Sequence, residues 1–249
     1  MPGRPTLPPL PIDRAAGAAE RARTAATRPA ASVQALGLGT SRLLAAATLD
    51  DGLVLVVVPR SGGLATAVRE APEGDLAAKV TVTSRSSQPL RNPLRARLEL
   101  AGWLTPVPAE EEAELVLAFA AVRPDDVLLD VGLTATLLCL DVAEVLLHEG
   151  GGWTEITPEV YAAARPDPLG AAEDDLIAEH AGPLAELRAR VQAWTGDDPV
   201  HLLGLDRYGV LFRVEPRTGC YDLRTPFPIP LTSTGELPAA VRTLLTRTR

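Results

Sequence analysis

Histidines are the side chains of this sequence best suited to acid–base or ligand chemistry, and His180 stands in the most informative context. Within "AEDDLIAEHAGPLAELRARVQAW", the residues Leu176, His180, Leu184 and Leu187 recur at spacings of three and four. That spacing predicts a long helix with His180 inside its apolar stripe, and Pro183 marks a point where the helix kinks or restarts. Such a histidine is either a buried side chain hydrogen-bonded to a neighbouring strand, or a ligand to haem iron or part of a cofactor cleft.

His148 is the second candidate, because it precedes the glycine run "EGGGW" at the end of a predicted strand. Strand ends often line binding sites, although a loop histidine can equally be only solvated. The three glycines would let a phosphate or cofactor approach the backbone, but neither a lysine nor a helix signal follows them. His201 opens a short predicted strand and carries the weakest functional signal.

Common catalytic and metal-binding motifs are missing from the sequence. It contains no Walker lysine, no G-x-S-x-G elbow, no H-E-x-x-H and no G-x-G-x-x-G after a strand. The two cysteines, Cys139 and Cys220, are far apart and match no zinc spacing. The acidic run at 110–114 begins a predicted helix, where the helix dipole favours carboxylates. Arg224 could meet an anionic group or pair with Asp222.

Composition excludes several classes of function. The 249 residues fit one large domain or two small ones, and 46% hydrophobic residues suffice for a core. A net charge of −8 argues against nucleic-acid binding, which needs a basic face. No apolar run reaches the roughly 20 residues of a membrane span, and the proline-rich start lacks the apolar middle of a secretory signal. We therefore expect a cytoplasmic protein with reduced thiols.

The elements ahead of residue 150 read mainly as strands. Residues 1–12 look like a flexible lead, and a helix follows with Asp13 as its cap. From about residue 40, "LLAAATL" and "LVLVVVP" flank the turn "DDG", which is typical of a hairpin with Gly52 at positive φ. Further strands are predicted in "GLATAVRE", "DLAAKVTVTS", "LRARLELAGW" and "LTATLLCLDVAEVLL", with one helix, "PAEEEAELVLAFAAV", inserted. Successive strands with a single helix indicate an antiparallel barrel.

A second folding unit is predicted after the break "RPDPL", since proline lacks the backbone donor and disfavours helix in its predecessor. A long helix, the hairpin "VHLLGLDRYGVLFRVEP", a third strand and a closing helix follow. The predicted fold class is α+β: an antiparallel split β-barrel followed by a small domain of helix, three-stranded antiparallel sheet and helix. The predicted domains are 1–39 (lead and helix), 40–167 (barrel) and 168–249 (small domain).

The run "CLDVAEVLLHEGGGWTEITPEVYAAARPDPLGAAEDDLIAEH" resembles a junction in haem-utilisation, haem-oxygenase-like proteins. There a split β-barrel, related to the FMN-binding barrel of pyridoxamine-phosphate oxidase, precedes a small α/β domain of unknown function. The shared features are a last barrel strand, a glycine-rich loop, a Tyr-bearing turn, a D-P-L break and a histidine helix. "LLGLDRYGVLFRV" and "LRTPFPIPL" continue the likeness, which is good over 140–249 and only topological before.

The resemblance implies a homodimer that binds haem or a related tetrapyrrole at clefts between its barrels, with the haem-degrading activity that some relatives have. His180 and His148 are the candidate axial ligands, with His180 as the main one. Arg91, Arg95 and Arg97 would meet the propionates, because a guanidinium fork suits carboxylates.

Two alternatives stay open. One is a non-enzymatic regulatory or interaction protein that has lost its cofactor, since the family's other ligand histidines are missing and Asp175 stands near one of them. The other is an FMN-binding oxidoreductase-like protein, although only Arg85 and Arg91 lie near the expected phosphate-binding strand ends. Each of these is cytoplasmic, and none involves a membrane or nucleic acid.

Overall fold

The computed structural model describes residues 10–11, 17–29 and 31–247 of the chain. Its strands are β1 (Leu10–Pro11), β2 (Ala31–Ala35), β3 (Thr40–Arg42), β4 (Ala45–Thr48), β5 (Val54–Pro59), β6 (Leu76–Arg85), β7 (Leu94–Pro106), β8 (Ala135–Glu149), β9 (Gly152–Ile156), β10 (Val200–Asp206), β11 (Gly209–Val214) and β12 (Tyr221–Pro226). Its helices are α1 (Ala18–Ala26), α2 (Gly63–Glu70), α3 (Ala109–Val122), α4 (Pro158–Ala163), α5 (Glu173–Glu179), α6 (Ala181–Thr195) and α7 (Leu237–Arg247).

The chain forms two compact units. The barrel unit comprises Gly17–Ser84 and Ala96–Pro166. The small unit comprises Arg85–Arg95 and the chain from Asp167 on, together with β1. Each unit has its own antiparallel sheet with helices beside it, so the predicted α+β class with a curled barrel-like sheet and a separate small sheet is confirmed.

The sheet of the barrel unit is strongly curled. Its order is β3-β2-β6-β7-β8-β5-β4, with β9 paired to β8. The two edge strands, β3 and β4, are consecutive in the chain and separated only by Leu43 and Leu44. The Leu43 N–H donates to the Ala31 carbonyl at one edge, and the Leu44 N–H donates to the Val57 carbonyl at the other. One continuous segment thus joins both edges, which is possible only if the sheet curls into a half-barrel.

Two hairpins of the barrel unit are built on glycines with positive φ. In the predicted hairpin, Thr48 pairs with Val54 and Gly52 has φ 96°, as expected. The "EGGGW" run is a second hairpin, which the sequence reading missed. Gly150 and Gly151 have φ 52° and 79°, the positive values that a two-residue type I′ turn requires, and they join β8 to β9. These glycines therefore serve strand reversal.

Other sequence predictions need correction. "GLATAVRE" is helix α2, not a strand, because its apolar residues Leu64, Ala65 and Val68 are buried together on one helical face. Strand β2, at Ala31–Ala35, lies inside the barrel sheet and ahead of residue 40, where strands were expected to begin. Helix α1 starts after Gly17 at φ 68°, while Asp13, its predicted cap, lies outside the described residues, as does most of the predicted 1–12 lead.

The small unit has the sheet order β1-β12-β11-β10. Strand β1 is an addition to the three strands predicted, and its two residues pair with Arg224 and Leu223. The predicted long helix is two helices, α5 and α6, that meet at His180. Leu176, Leu184 and Leu187 are buried, as the stripe predicted. Among the described residues, no helix is both long and apolar enough to cross a bilayer.

The two thiols differ in accessibility, which gives a testable difference in reactivity. Cys220 is exposed and Cys139, on β8, is half-buried. Burial raises the pKa of the Cys139 thiol, and the nearby Asp141 carboxylate raises it further. Because the thiolate is the reactive form, we expect a disulfide reagent such as DTNB to modify Cys220 quickly and Cys139 only slowly below pH 8. A Cys220→Ser variant should lose the fast phase; two equally fast phases in the native protein would contradict the assignment.

Candidate functional site

His180 is half-buried at the junction of α5 and α6 in the small unit. Its backbone serves both helices: the N–H donates to the Leu176 carbonyl at 3.0 Å, and its carbonyl accepts from the Leu184 N–H at 3.1 Å. A φ of −106° and ψ of 23° depart from helical values, so the break falls at this residue and not at Pro183. No hydrogen bond joins the imidazole to the described residues, which leaves its nitrogens open to a ligand.

Arg91 and Arg95 also belong to the small unit, where both guanidinium groups already have partners. Arg95 forms a short, buried ion pair with Glu173 and donates to the Leu205 carbonyl. Burial alone lowers the pKa of Arg95, but the Glu173 carboxylate outweighs this and raises it. Arg91 is exposed and donates to the Pro216 carbonyl at 2.7 Å, with Glu215 4.0 Å away. Arg95 is thus one member of a structural ion pair, whereas Arg91 keeps an exposed side chain.

Arg97 and His148 lie together on one face of the barrel sheet. The two residues are direct partners across β7 and β8, and Trp153 is the partner of His148 on β9. The rings of His148 and Trp153 are 5.0 Å apart at an interplanar angle of 57°. Neighbouring residues Leu147 and Leu98 point to the buried core, so this row of three occupies the opposite face. His148 is half-buried and, among the described residues, has no hydrogen-bond partner for its imidazole.

An open groove of about 560 Å³ lies on the barrel unit, over the turn after β2 and over parts of β6, β7 and β8. Much of its lining is small: Ala77, Ala101 and Gly102 leave room above the backbone. Leu36 and Trp103 are its large apolar side chains, and they are 74% and 45% exposed. A mostly apolar concave surface with a few polar groups is the usual form of a small-molecule site.

Charged groups connect the groove to the histidine row. Lys79, which lines the groove, lies 3.2 Å from the Glu99 carboxylate. Arg97 lies 2.6 Å from the same carboxylate. Two cations therefore share one nearly buried anion, and the three groups together keep a net positive charge. Glu144 also lines the groove. It lies four residues before His148 on the same face of β8, which corresponds to about 14 Å at the usual rise per residue of a strand.

A bulge shapes the floor of this groove. Ala101 pairs with Glu144 but Gly102 pairs with Val142, so Ala143 is an extra residue on β8. A Cβ at position 102 would overlap the Asp141 carbonyl oxygen, and only glycine permits this approach of the strands. An isolated glycine inside a strand pattern is a recognised signal of such a bulge, so Gly102 was the residue from which the bulge could have been predicted. The other groove residues carried no comparable signal.

The small unit has a cavity of its own, of about 300 Å³. His201, Arg188 and Gln88 supply its polar lining, and Ile177 and Leu184 supply apolar surface. The ring of His201 is 3.6 Å from the Glu215 carboxylate, so within the residues that the structure describes this histidine, unlike His148 and His180, has a charged partner. Across the described residues, no group of three or more His, Cys, Asp or Glu side chains could hold a bare metal ion.

No family model matches the chain, and no curated protein matches it either. Solved structures, by contrast, do match the chain. A haem-binding protein from Mycobacterium smegmatis is 24% identical, with 93% of this chain and 97% of that chain covered and a TM-score of 0.60. A protein of unknown function from Agrobacterium tumefaciens is 18% identical over 95% and 100% of the chains, with a TM-score of 0.46. ChuZ from Campylobacter jejuni is 12% identical over 62% and 66%, with a TM-score of 0.47. The first comparison shows that the chain shares its fold with the mycobacterial protein over nearly its whole length.

Proposed function

We propose that the protein binds haem or a related tetrapyrrole in the groove of the barrel unit. The observation that carries the proposal is the groove itself, whose small-residue floor and exposed Trp103 and Leu36 suit a flat, apolar ligand. Its volume of about 560 Å³ is of the size found for small-molecule and cofactor sites. The fold shared with a haem-binding protein of Mycobacterium smegmatis supports the same ligand.

His148 is the axial donor in this proposal. Haem needs only one protein ligand to its iron, so the absence of a larger ligand cluster among the described residues is no obstacle. His148 fits because its imidazole is half-buried, lies on a face of the sheet that also carries groove residues, and has no hydrogen-bond partner among the described residues. His180, whose imidazole also has no hydrogen-bond partner in the described part of the chain, is the alternative donor. Bound haem supplies an iron whose redox behaviour depends on that ligand.

Lys79 and Arg97 would bind the propionates. Both already approach Glu99, and their combined charge exceeds that of the single carboxylate. Arg91 keeps an exposed guanidinium in the small unit and takes this role only in the alternative in which His180, of the same unit, is the ligand. Arg95 has no part in propionate binding, because the Glu173 carboxylate already pairs with its guanidinium. The proposal also includes a homodimer, in which a second copy would shield the open groove from water.

Haem titration of the purified protein tests this proposal. We expect a Soret band distinct from that of free haem, saturating at one haem per chain. The His148→Ala variant should lose the distinct band or bind at least about tenfold more weakly. The variant His201→Ala is the matched control, because that histidine pairs with Glu215. Light scattering on the same sample should give twice the mass of one chain.

The outcomes separate the alternatives. Loss of the band in His180→Ala alone would move the ligand to the small unit. An unchanged free-haem spectrum would reject haem binding and favour the cofactor-free interaction protein, whereas a yellow preparation that retains flavin would favour FMN. Haem-degrading activity is a further part of the proposal, followed as aerobic loss of the Soret band after ascorbate is added.

A further inference from the structure

Arg23 is a buried cation in the barrel unit whose side chain is only partly hydrogen-bonded. The residue lies on α1 and is 1% exposed. Its Nη2 donates to the Leu49 carbonyl at 2.6 Å, and its guanidinium lies 5.4 Å from the centre of the Tyr161 ring. Its Nε and Nη1 have no acceptor among the described residues. Buried charged groups are normally paired, so these two donors call for a partner.

A small cavity adjoins Arg23 and contains further donors. Its volume is about 80 Å³, and since roughly 10–15 Å³ of such volume holds one water, it has room for several waters or one small oxyanion. Arg123 lines it from the end of α3, where its guanidinium also donates to the Ala46 carbonyl and lies 3.6 Å from Asp125. Thr48 lines it as well, and its hydroxyl is 2.8 Å from the Tyr161 hydroxyl.

Charge at the cavity favours an anion. The residues that line the cavity carry two positive charges, on Arg23 and Arg123, against one exposed carboxylate, Asp50; the Asp125 carboxylate, 3.6 Å from Arg123, lies outside the lining. Burial lowers the pKa of the Arg23 guanidinium, and the nearby Tyr161, Asp50 and Asp51, which raise it, do not offset that effect. Among the described residues, no carboxylate is hydrogen-bonded to the buried Arg23 guanidinium. Guanidinium groups bind carboxylate and phosphate oxygens through parallel N–H donors, a match that ammonium or hydroxyl groups do not offer.

We propose that this cavity, between α1, the end of β4 and the end of α3, binds a small oxyanion such as phosphate or a carboxylate. The anion accepts hydrogen bonds from the unpaired Nε and Nη1 of Arg23 and from Arg123. This site is separate from the groove, so the proposal does not depend on haem binding.

The test is a titration of the purified full-length chain with sodium phosphate, and in a second arm with sodium acetate, at ionic strength held constant with sodium chloride. We expect a saturable rise in Tm and a saturable calorimetric signal in at least one arm, and the responding arm identifies the oxyanion as phosphate or carboxylate. Arg123→Gln should weaken the affinity by at least about tenfold, because it removes one charged donor. Asp50→Asn should strengthen it, since the like charge is gone.

Arg42→Gln is the matched control. Arg42 is exposed on β3 and its replacement changes the net charge by the same amount as Arg123→Gln. Wild-type affinity in Arg42→Gln, with weakened affinity in Arg123→Gln, supports the site. Absence of saturation in both arms overturns the proposal, and so does an equal loss of affinity in the two arginine variants. Arg23 itself is not the primary variant, because its replacement could disturb the packing of α1.

Discussion

Replacing Glu173 by alanine should destabilise the protein by about 3–5 kcal/mol, the usual cost of leaving one member of a buried ion pair without its partner. The Glu173 side chain is 3% exposed and forms the short ion pair with Arg95. The same carboxylate accepts the Leu205 N–H at 2.8 Å. The variant would therefore leave the mostly buried Arg95 guanidinium without its carboxylate and the Leu205 N–H without its acceptor. Urea denaturation followed by circular dichroism measures the difference in the free energy of unfolding.

Two further variants test the cause of that loss. Glu186→Ala removes an exposed pair with Arg190 in the same unit and should change stability by no more than about 0.5 kcal/mol. The double variant Glu173→Leu with Arg95→Met should recover part of the loss, since it removes the unpaired charge as well. If Glu173→Ala and Glu186→Ala lower the free energy of unfolding equally, the Arg95–Glu173 ion pair does not stabilise the small unit.

Local patterns in the sequence were enough to predict most elements of the fold. The alternation of apolar and polar residues in "LRARLELAGW" predicted a strand, and Ala96, Leu98 and Leu100 are buried in β7. The turn at Gly52 follows from the same kind of local pattern. In these cases the signal lies within a few neighbouring residues, so long-range packing had little to add.

Elements whose identity depends on distant partners were not readable. "GLATAVRE" is short and apolar, which fits a strand or a helix equally well, and packing against β5 decides for α2. Strand β9 is five residues long, carries a glycine and two polar side chains, and is a strand because β8 continues far enough to pair with it. The conformation of such a segment depends on the elements that pack beside it and on how far they extend, which the segment's own residues do not show.

The candidate site was foreseen only in part. His148 and Arg97 were named from the sequence, but their adjacency comes from the register of β7 and β8, which no single segment encodes. The groove gathers Lys79, Trp103 and Leu36 from separate strands and a turn. None of these residues belongs to a motif, because an apolar groove is defined by the space between side chains and not by a spacing along the chain.

Replacing Gly102 by alanine should destabilise the barrel unit by about 3 kcal/mol or more, at or above the upper end of the usual cost of overpacking. The added methyl group would overlap the carbonyl oxygen of Asp141, which is backbone and cannot rotate away. Strands β7 and β8 would have to separate at the bulge, with loss of the hydrogen bonds around Ala101 and Val142. Because the same bulge forms the groove floor, ligand affinity should fall together with stability.

Gly39→Ala is the control for this change, since nothing lies within 4 Å of a Cβ at that position. It should leave the unfolding free energy within about 0.5 kcal/mol of the native value, as surface substitutions usually do. Thermal and urea unfolding of the two variants measures the contrast. A Gly102→Ala protein as stable as Gly39→Ala would mean that β7 and β8 do not approach each other so closely. The register that places Arg97 beside His148 would then lose its support, because both pairings belong to the same ladder.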